Sequence, residues 1–228
     1  MSRRVRPRQA ELPFPNTWGG PRKNAGRQPK GEEAGVRHAP REHVNGREPA
    51  HVTVKLRRGL PSLRTLEVDR VLRGAFEKGC DRFGFRLVHY SVQQDHIHLL
   101  VEAEDGKALA RGMQGLLIRV AKALNKLWQH AGSVFADRFH SRLLRTAREV
   151  RNALVYLLAN ARKHRQELAQ VLDRFASGPW FDGWRETLRI RGMDGVRRPV
   201  ALARTWLVTT GWRRWGLISV HAAPANRT

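Results

Sequence analysis

The 228-residue chain is poor in acid, nearly free of sulfur and without any long apolar run. It has 20 Asp or Glu residues against 43 Lys or Arg, a formal net charge of +23 at pH 7. Such an excess repels itself unless a polyanion supplies counter-charge. Nucleic acid is the default partner, because neutralising phosphates releases condensed counterions. A membrane partner would call for an apolar span or a basic amphipathic anchor, and neither is visible. Cys80 is the single cysteine, which excludes an internal disulfide and a cysteine-based zinc site and fits a reducing compartment. The basic N-terminus lacks an apolar stretch before a cleavage site, so the expectation is a cytoplasmic, nucleoid-associated protein.

A hydrophobic fraction of 41% is low for a chain that is compact throughout. Residues 1–48 are rich in Arg, Pro, Gly and Asn without an apolar period. They cannot bury enough surface to offset chain entropy and read as a disordered basic arm, a solvated tail that can also tether DNA. Order is expected from His51, where Val52, Val54 and Leu56 alternate on one face of a strand. An amphipathic helix follows over 63–80, then strands over 85–92 and 96–102. The link Gln93-Gln94-Asp95 is so short that these two strands must form a hairpin. A long helix over 107–130, a strand within 139–146 and a helix over 149–164 complete the order βαββαβα. That order resembles a ferredoxin-like α+β sandwich, with an antiparallel sheet and helices on one face.

Residues 49–172 thus form the expected folded domain, and 173–228 a Trp/Arg-rich extension. The extension sets Trp180, Trp184, Trp206, Trp212 and Trp215 among Arg189, Arg191, Arg197, Arg198, Arg204, Arg213 and Arg214. Interleaved aromatics and arginines can stack on bases and grip phosphates. A small satellite core burying the tryptophans is the competing reading, and the two are compatible. The stretch 205–218 reads as one helix or as two short elements interrupted at Gly211.

Side chains two apart on a strand share a face, roughly 7 Å apart along it. His96 and His98 therefore project together while Ile97 and Leu99 point the other way. Two imidazoles on one rigid face are a start for a divalent-metal site, although ten histidines make a chance His-x-His common. On the last helix, Val150, Leu154, Leu157, Leu158 and Ala161 make an apolar stripe. Tyr156 falls roughly 140° from its centre, with Asn160 one turn further on the same side. The other of the two tyrosines, Tyr90, sits in a strand that alternates like a buried one.

Three motifs in order now resemble a known family, the single-tyrosine HUH transposases, and within it the REP-associated tyrosine transposases. The segment Gln94-Asp95-His96-Ile97-His98-Leu99-Leu100-Val101 resembles the family's His-hydrophobic-His strand. Val134-Phe135-Ala136-Asp137-Arg138-Phe139-His140 matches its Val-Phe-x-x-Arg-Phe/Tyr-His segment. Tyr156-Leu157-Leu158-Ala159-Asn160 matches its nucleophilic helix. The likeness covers about residues 50–165. Two positions depart: Ala161 stands where proline usually follows the asparagine, and Gln94-Asp95 where Pro-Asn usually precedes the first histidine, which brings a carboxylate near the metal.

The resemblance implies that Tyr156 attacks a phosphate of single-stranded or hairpin DNA and forms a 5′-phosphotyrosine, which a second hydroxyl can resolve to rejoin strands. It implies Mg²⁺ or Mn²⁺ held by His96 and His98, with Asn160 as a third ligand, polarising the scissile phosphate. Arg138, Arg162, Lys163, Arg213 and Arg214 are candidate DNA contacts, and palindromic repeats candidate substrates. Monomer and homodimer both stay open. Two competing readings remain. One is a non-catalytic nucleic-acid binder on the same fold, which would stack bases on sheet aromatics such as Phe85 and Tyr90. The other is a small zinc hydrolase that adds His89 or His140 to the histidine pair.

Overall fold

The computed structural model describes residues 42–163, 172–188 and 195–222, with side chains in the last long helix described as far as Ala159. The chain divides at Pro40 into two units, and every described residue belongs to the second. Of the expected basic arm, residues 1–41 therefore lie outside the described residues. Residues 42–48 run irregularly into the first strand and bury Val44 in the core.

The elements are β1 (Ala50–Lys55), α1 (Leu66–Glu77), β2 (Asp81–Arg82), β3 (Phe85–Val92), β4 (His96–Ala103), α2 (Gly106–Trp128), β5 (His140–Leu143), α3 (Ala147–Lys163) and α4 (Trp206–Thr209). Single 3₁₀ turns cover Gly178–Trp180 and Gly211–Trp215. The sheet runs β2-β3-β4-β1-β5 with every neighbouring pair antiparallel. This is the expected ferredoxin-like mixed α/β arrangement with one addition, the two-residue β2 that hairpins onto β3. No described helix is long and apolar enough to cross a membrane.

Local chemistry sets the helix starts. Thr65 caps α1 by accepting from the Val68 N–H at 3.3 Å, and Asp105 caps α2 by accepting from Ala108 at 2.7 Å. At α3, Thr146 and Glu149 satisfy each other: the Thr146 N–H donates to the Glu149 carboxylate, and the Glu149 N–H to the Thr146 hydroxyl. Each such cap stabilises a helix start by about 1 kcal/mol. Gly112 lets α2 lie directly on β3, since a Cβ there would stand 2.1 Å from the Phe85 ring.

The two faces of the sheet are covered by different elements. Val52, Val54, Ile97, Leu99, Val101, Phe85 and Tyr90 pack beneath α1 and α2 with Leu72, Phe76, Met113 and Val120. Val88 and Leu100 instead pack with Leu154, Leu157 and Leu158 of α3. The expectation of helices on one face is therefore corrected: α3 lies on the opposite face. The periodicity of α3 already required an apolar partner, but only pairing order decides which face offers it. A bulge between Leu87 and His89 in the β3–β4 register leaves Val88 on the α3 side.

The described residues from 172 onward complete this second layer. Phe181, Val208, Trp212 and Ile218 join the α3 core, with Trp212 only 1% exposed. The same stretch closes the free edge of β3. Phe175 O accepts from Val92 N, Tyr90 O accepts from Ser177 N, and Leu87 O accepts from Ala201 N. An open edge with unpaired N–H and C=O groups is a template for aggregation, and here the chain's own C-terminal segment covers it. Buried Glu102 of β4 fastens the segment by accepting from the N–H groups of Arg204 and Thr205 at 2.9 Å and from the Thr205 hydroxyl at 2.7 Å.

Candidate active site

The site lies where β4 and β1 face α3. His98 pairs with Thr53 across the β1–β4 ladder, and Leu100 with His51, so these four side chains share the α3 face. Phe135 bridges to Leu56 and His140 pairs with Thr53 on the other side of β1. The Val134–His140 segment thereby runs beside the histidine end of the sheet.

His98 is the hub. It is buried, and its Nε2 lies 3.0 Å from His96 Nε2 and 3.2 Å from the Tyr156 hydroxyl. Tyr156 is half-buried, with its ring edge-on to His98 at a centroid distance of 5.0 Å. The wide buried arc of α3, which takes in Val155 and Ala159 beside Leu154 and Leu158, brings the tyrosine to the edge of the layer rather than into solvent. Tyr90 lies on the other face of the sheet, against Phe76 and 1% exposed. Burial pushes its phenol well above the usual range and keeps it away from DNA.

The distal nitrogens of both histidines are held. Asp95 Oδ1 lies 2.7 Å from His96 Nδ1, and the bond with His96 lowers the Asp95 pKa below the usual carboxylate value. An ionised carboxylate only accepts, so His96 Nδ1 is the donor there and Nε2 is the nitrogen left to face a metal. The hydroxyl of Thr53 lies 3.1 Å from His98 Nδ1 and can donate or accept, serving either tautomer. Asp95, expected to bring a carboxylate near the metal, stands behind His96 as an orienting partner and also lies 3.9 Å from Lys55.

The Nε2 atoms of His96 and His98, 3.0 Å apart, are close enough for both to reach one ion. With both distal nitrogens held, the donor set fits a divalent ion. Two imidazoles alone do not choose among Mg²⁺, Mn²⁺ and Zn²⁺. Among the described residues no group of three His, Cys, Asp or Glu could hold a metal. The side chains of Asn160, Arg162 and Lys163 lie outside the described residues, although their backbone continues α3.

His51 is the residue that sequence reasoning passed over. Its ring stacks 5.2 Å from His98 and lies edge-on to Tyr156 at 5.8 Å. Its position opposite Val52 in the strand alternation was legible, but its proximity to β4 was not.

The remaining candidates are placed as follows. Arg138 is exposed in the loop before β5. Arg213 lies 2.8 Å from Asp182 and stacks over Trp212, while Arg214 lies over Trp206. Neither histidine proposed for a zinc hydrolase joins the pair. His89 is buried against Ser177, its pKa pulled down to about 3 by burial and then by the charge of Arg198. His140 is exposed on β5. Phe85 and Tyr90, the aromatics on which a strand binder would stack bases, are both covered by helices.

Residues 51–156 match the model of the family described as Transposase IS200 like. That span opens on His51 and closes on Tyr156, so it carries the histidine pair and the tyrosine that carried the resemblance. The resemblance to the IS200-like transposases is thereby shown over that span, and it supports a transposase function. Among solved structures, one of a REP-associated tyrosine transposase bound to a REP hairpin is 20% identical, covering 57% of this chain and 74% of that one at a TM-score of 0.46. A protein of Deinococcus radiodurans R1 described as a candidate transposase is 14% identical, covering 60% of this chain and 100% of that one at a TM-score of 0.37. No functionally curated protein matches the chain.

Proposed function

We propose that the chain is a metal-dependent DNA endonuclease and strand transferase that cuts and rejoins single-stranded or hairpin DNA through Tyr156. The observation that carries this reading is the Tyr156 hydroxyl 3.2 Å from the Nε2 of His98, itself 3.0 Å from the Nε2 of His96. His96, His98 and Asn160 would hold Mg²⁺ or Mn²⁺. When bound, the ion supplies Lewis-acid polarisation of the scissile phosphate.

The chain's own residues do the rest. The His98 contact and the α3 packing orient the Tyr156 oxygen toward the phosphate bound at the histidine pair, which converts an encounter into a positioned attack. As the tyrosine O–P bond forms, the bond to the 3′ oxygen breaks. The phenol loses its proton and the departing oxygen gains one, leaving a 5′-phosphotyrosine and a free 3′-hydroxyl. The ester conserves the bond energy, so a second 3′-hydroxyl can reverse the step without a nucleotide cofactor. Arg138, Arg162, Lys163, Arg213 and Arg214 supply phosphate contacts, and palindromic repeats are the substrate class. The chain works in the cytoplasm on nucleoid DNA, as a monomer or homodimer.

Denaturing gels of labelled hairpin DNA test the reading. Wild-type protein with Mn²⁺ is expected to form a covalent adduct, Tyr90→Phe to retain it if folded, and Tyr156→Phe to lose it with binding kept. An adduct that persists in Tyr156→Phe overturns the assignment.

A further inference from the structure

A second feature of the same layer lies away from the tyrosine chemistry. Nine residues before Tyr156, about 13 Å back along the axis of α3 at 1.5 Å per residue, Thr146, Ala147 and Arg148 form one wall of a cavity of about 310 Å³. The other wall is Arg214 and Trp215. Both walls are braced. The first turn of α3 is fixed by the mutual bonds of Thr146 and Glu149. The opposing turn is anchored by buried Trp212, whose Nε1 donates to Val208 O at 2.8 Å, and by Arg213 Nε donating to Thr209 O at 3.0 Å.

The cleft is bordered by one indole and two arginines, of which Arg148 faces the indole while the Arg214 guanidinium lies 4.9 Å from the ring centre of Trp206. Trp215 is 55% exposed, where a tryptophan without a partner is expected to bury itself as Trp212 does. Arg148 stands 5.7 Å from its ring centre, at the outer limit of a cation–π contact, so the ring is approached rather than covered. Among the described residues neither Arg148 nor Arg214 forms an ion pair, although Arg142, Arg145 and Arg213 around them do. An exposed ring beside an arginine that forms no ion pair matches a nucleotide, with its π face and its anion. The volume stands at the low end of small-ligand sites, room for one unpaired nucleotide and too little for a duplex.

We propose that this cleft is a second DNA contact that takes one unpaired nucleotide of the bound strand, its base on Trp215 and its phosphate on Arg148. The identity of the polyanion rests on the reading of the chain as a DNA-processing enzyme, but the cleft does not depend on Tyr156 chemistry. It makes the C-terminal segment a reader of the single strand beside the hairpin, where a purely structural segment would be blind to it.

The test uses full-length protein and fluorescence anisotropy on two DNAs, a hairpin with a single-stranded extension and the same hairpin trimmed blunt. Trp215→Ala is expected to weaken binding of the extended hairpin about 5- to 150-fold, the range carried by one base stack, with less than a twofold effect on the blunt one. Trp215→Phe, which keeps a ring, should restore most of the difference. Arg148→Ala should lower the salt slope on the extended hairpin by about one, and it serves if Trp215→Ala fails to fold. Equal effects on both DNAs, or none, from the two variants would overturn the proposal and leave Trp215 a surface residue or a protein-contact residue. Covalent adduct formation is scored in parallel. Selective loss without any wild-type adduct sinks the nuclease reading alone, and an adduct without selective loss sinks the cleft alone.

Discussion

Replacing Glu102 by glutamine keeps the shape of the side chain and removes only its charge and one acceptor. In the native protein the carboxylate is fully buried and receives Arg86 Nε at 3.0 Å, the N–H groups of Arg204 and Thr205, and the Thr205 hydroxyl. The Arg86 side chain is itself only 7% exposed. An amide here would aim its NH₂ at N–H donors and leave a buried guanidinium without a counter-charge. Removing one partner of such a pair costs about 3–5 kcal/mol, which for a domain of this size lowers the melting temperature by about 6–20 °C. Urea unfolding followed by circular dichroism reads the stability. Tryptophan emission reads whether the segment carrying Trp212 has come loose. The paired change Glu102→Leu with Arg86→Met should recover part of the loss, since an apolar pair can replace a buried ion pair, but not the part owed to the N–H groups of residues 204 and 205. A loss below about 1 kcal/mol for Glu102→Gln, with unchanged emission, would refute the claim that this carboxylate fastens the C-terminal segment to the sheet.

Three further outcomes are expected. His96→Ala with His98→Ala should abolish adduct formation while hairpin affinity stays within a few-fold, because phosphate contacts supply most of the binding; full cleavage by this variant in chelator would remove the metal assignment. Thr53→Val deletes the hydroxyl that orients His98 and should slow adduct formation or weaken Mn²⁺ dependence 10- to 100-fold, with Thr53→Ser restoring it and stability changing by about 1 kcal/mol; an unchanged time course counts against the orienting role. His89, with its pKa near 3 when folded and about 6.5 when unfolded, stays neutral in the native state while the unfolded chain takes up a proton. Its contribution is therefore complete above pH 6.5 and is lost at about 1.4 kcal/mol per pH unit as the pH falls toward 3. Urea midpoints between pH 7 and 4 should show a shallower slope for His89→Gln, and identical slopes would disprove the buried neutral histidine.

Much of this protein was legible in the chain before any coordinates. Alternation placed His96 and His98 on one face of a strand, and the 3.6-residue period put Tyr156 on the flank of an apolar helix. The short Gln93–Asp95 link could only make a hairpin. These are local properties, set within one or two turns of backbone, so side-chain pattern suffices to read them. What needed the tertiary structure is non-local. Pairing of β1 with β4 brings His51 and Thr53 to His98 across more than forty residues of sequence. The antiparallel order that leaves Val88 and Leu100 open to α3 decides which sheet face receives the helix. The tryptophans divide for the same reason. Trp212 is buried by α3 while Trp206 and Trp215 stay about half exposed, because burial depends on what the fold sets opposite a side chain, and composition is the same in either case.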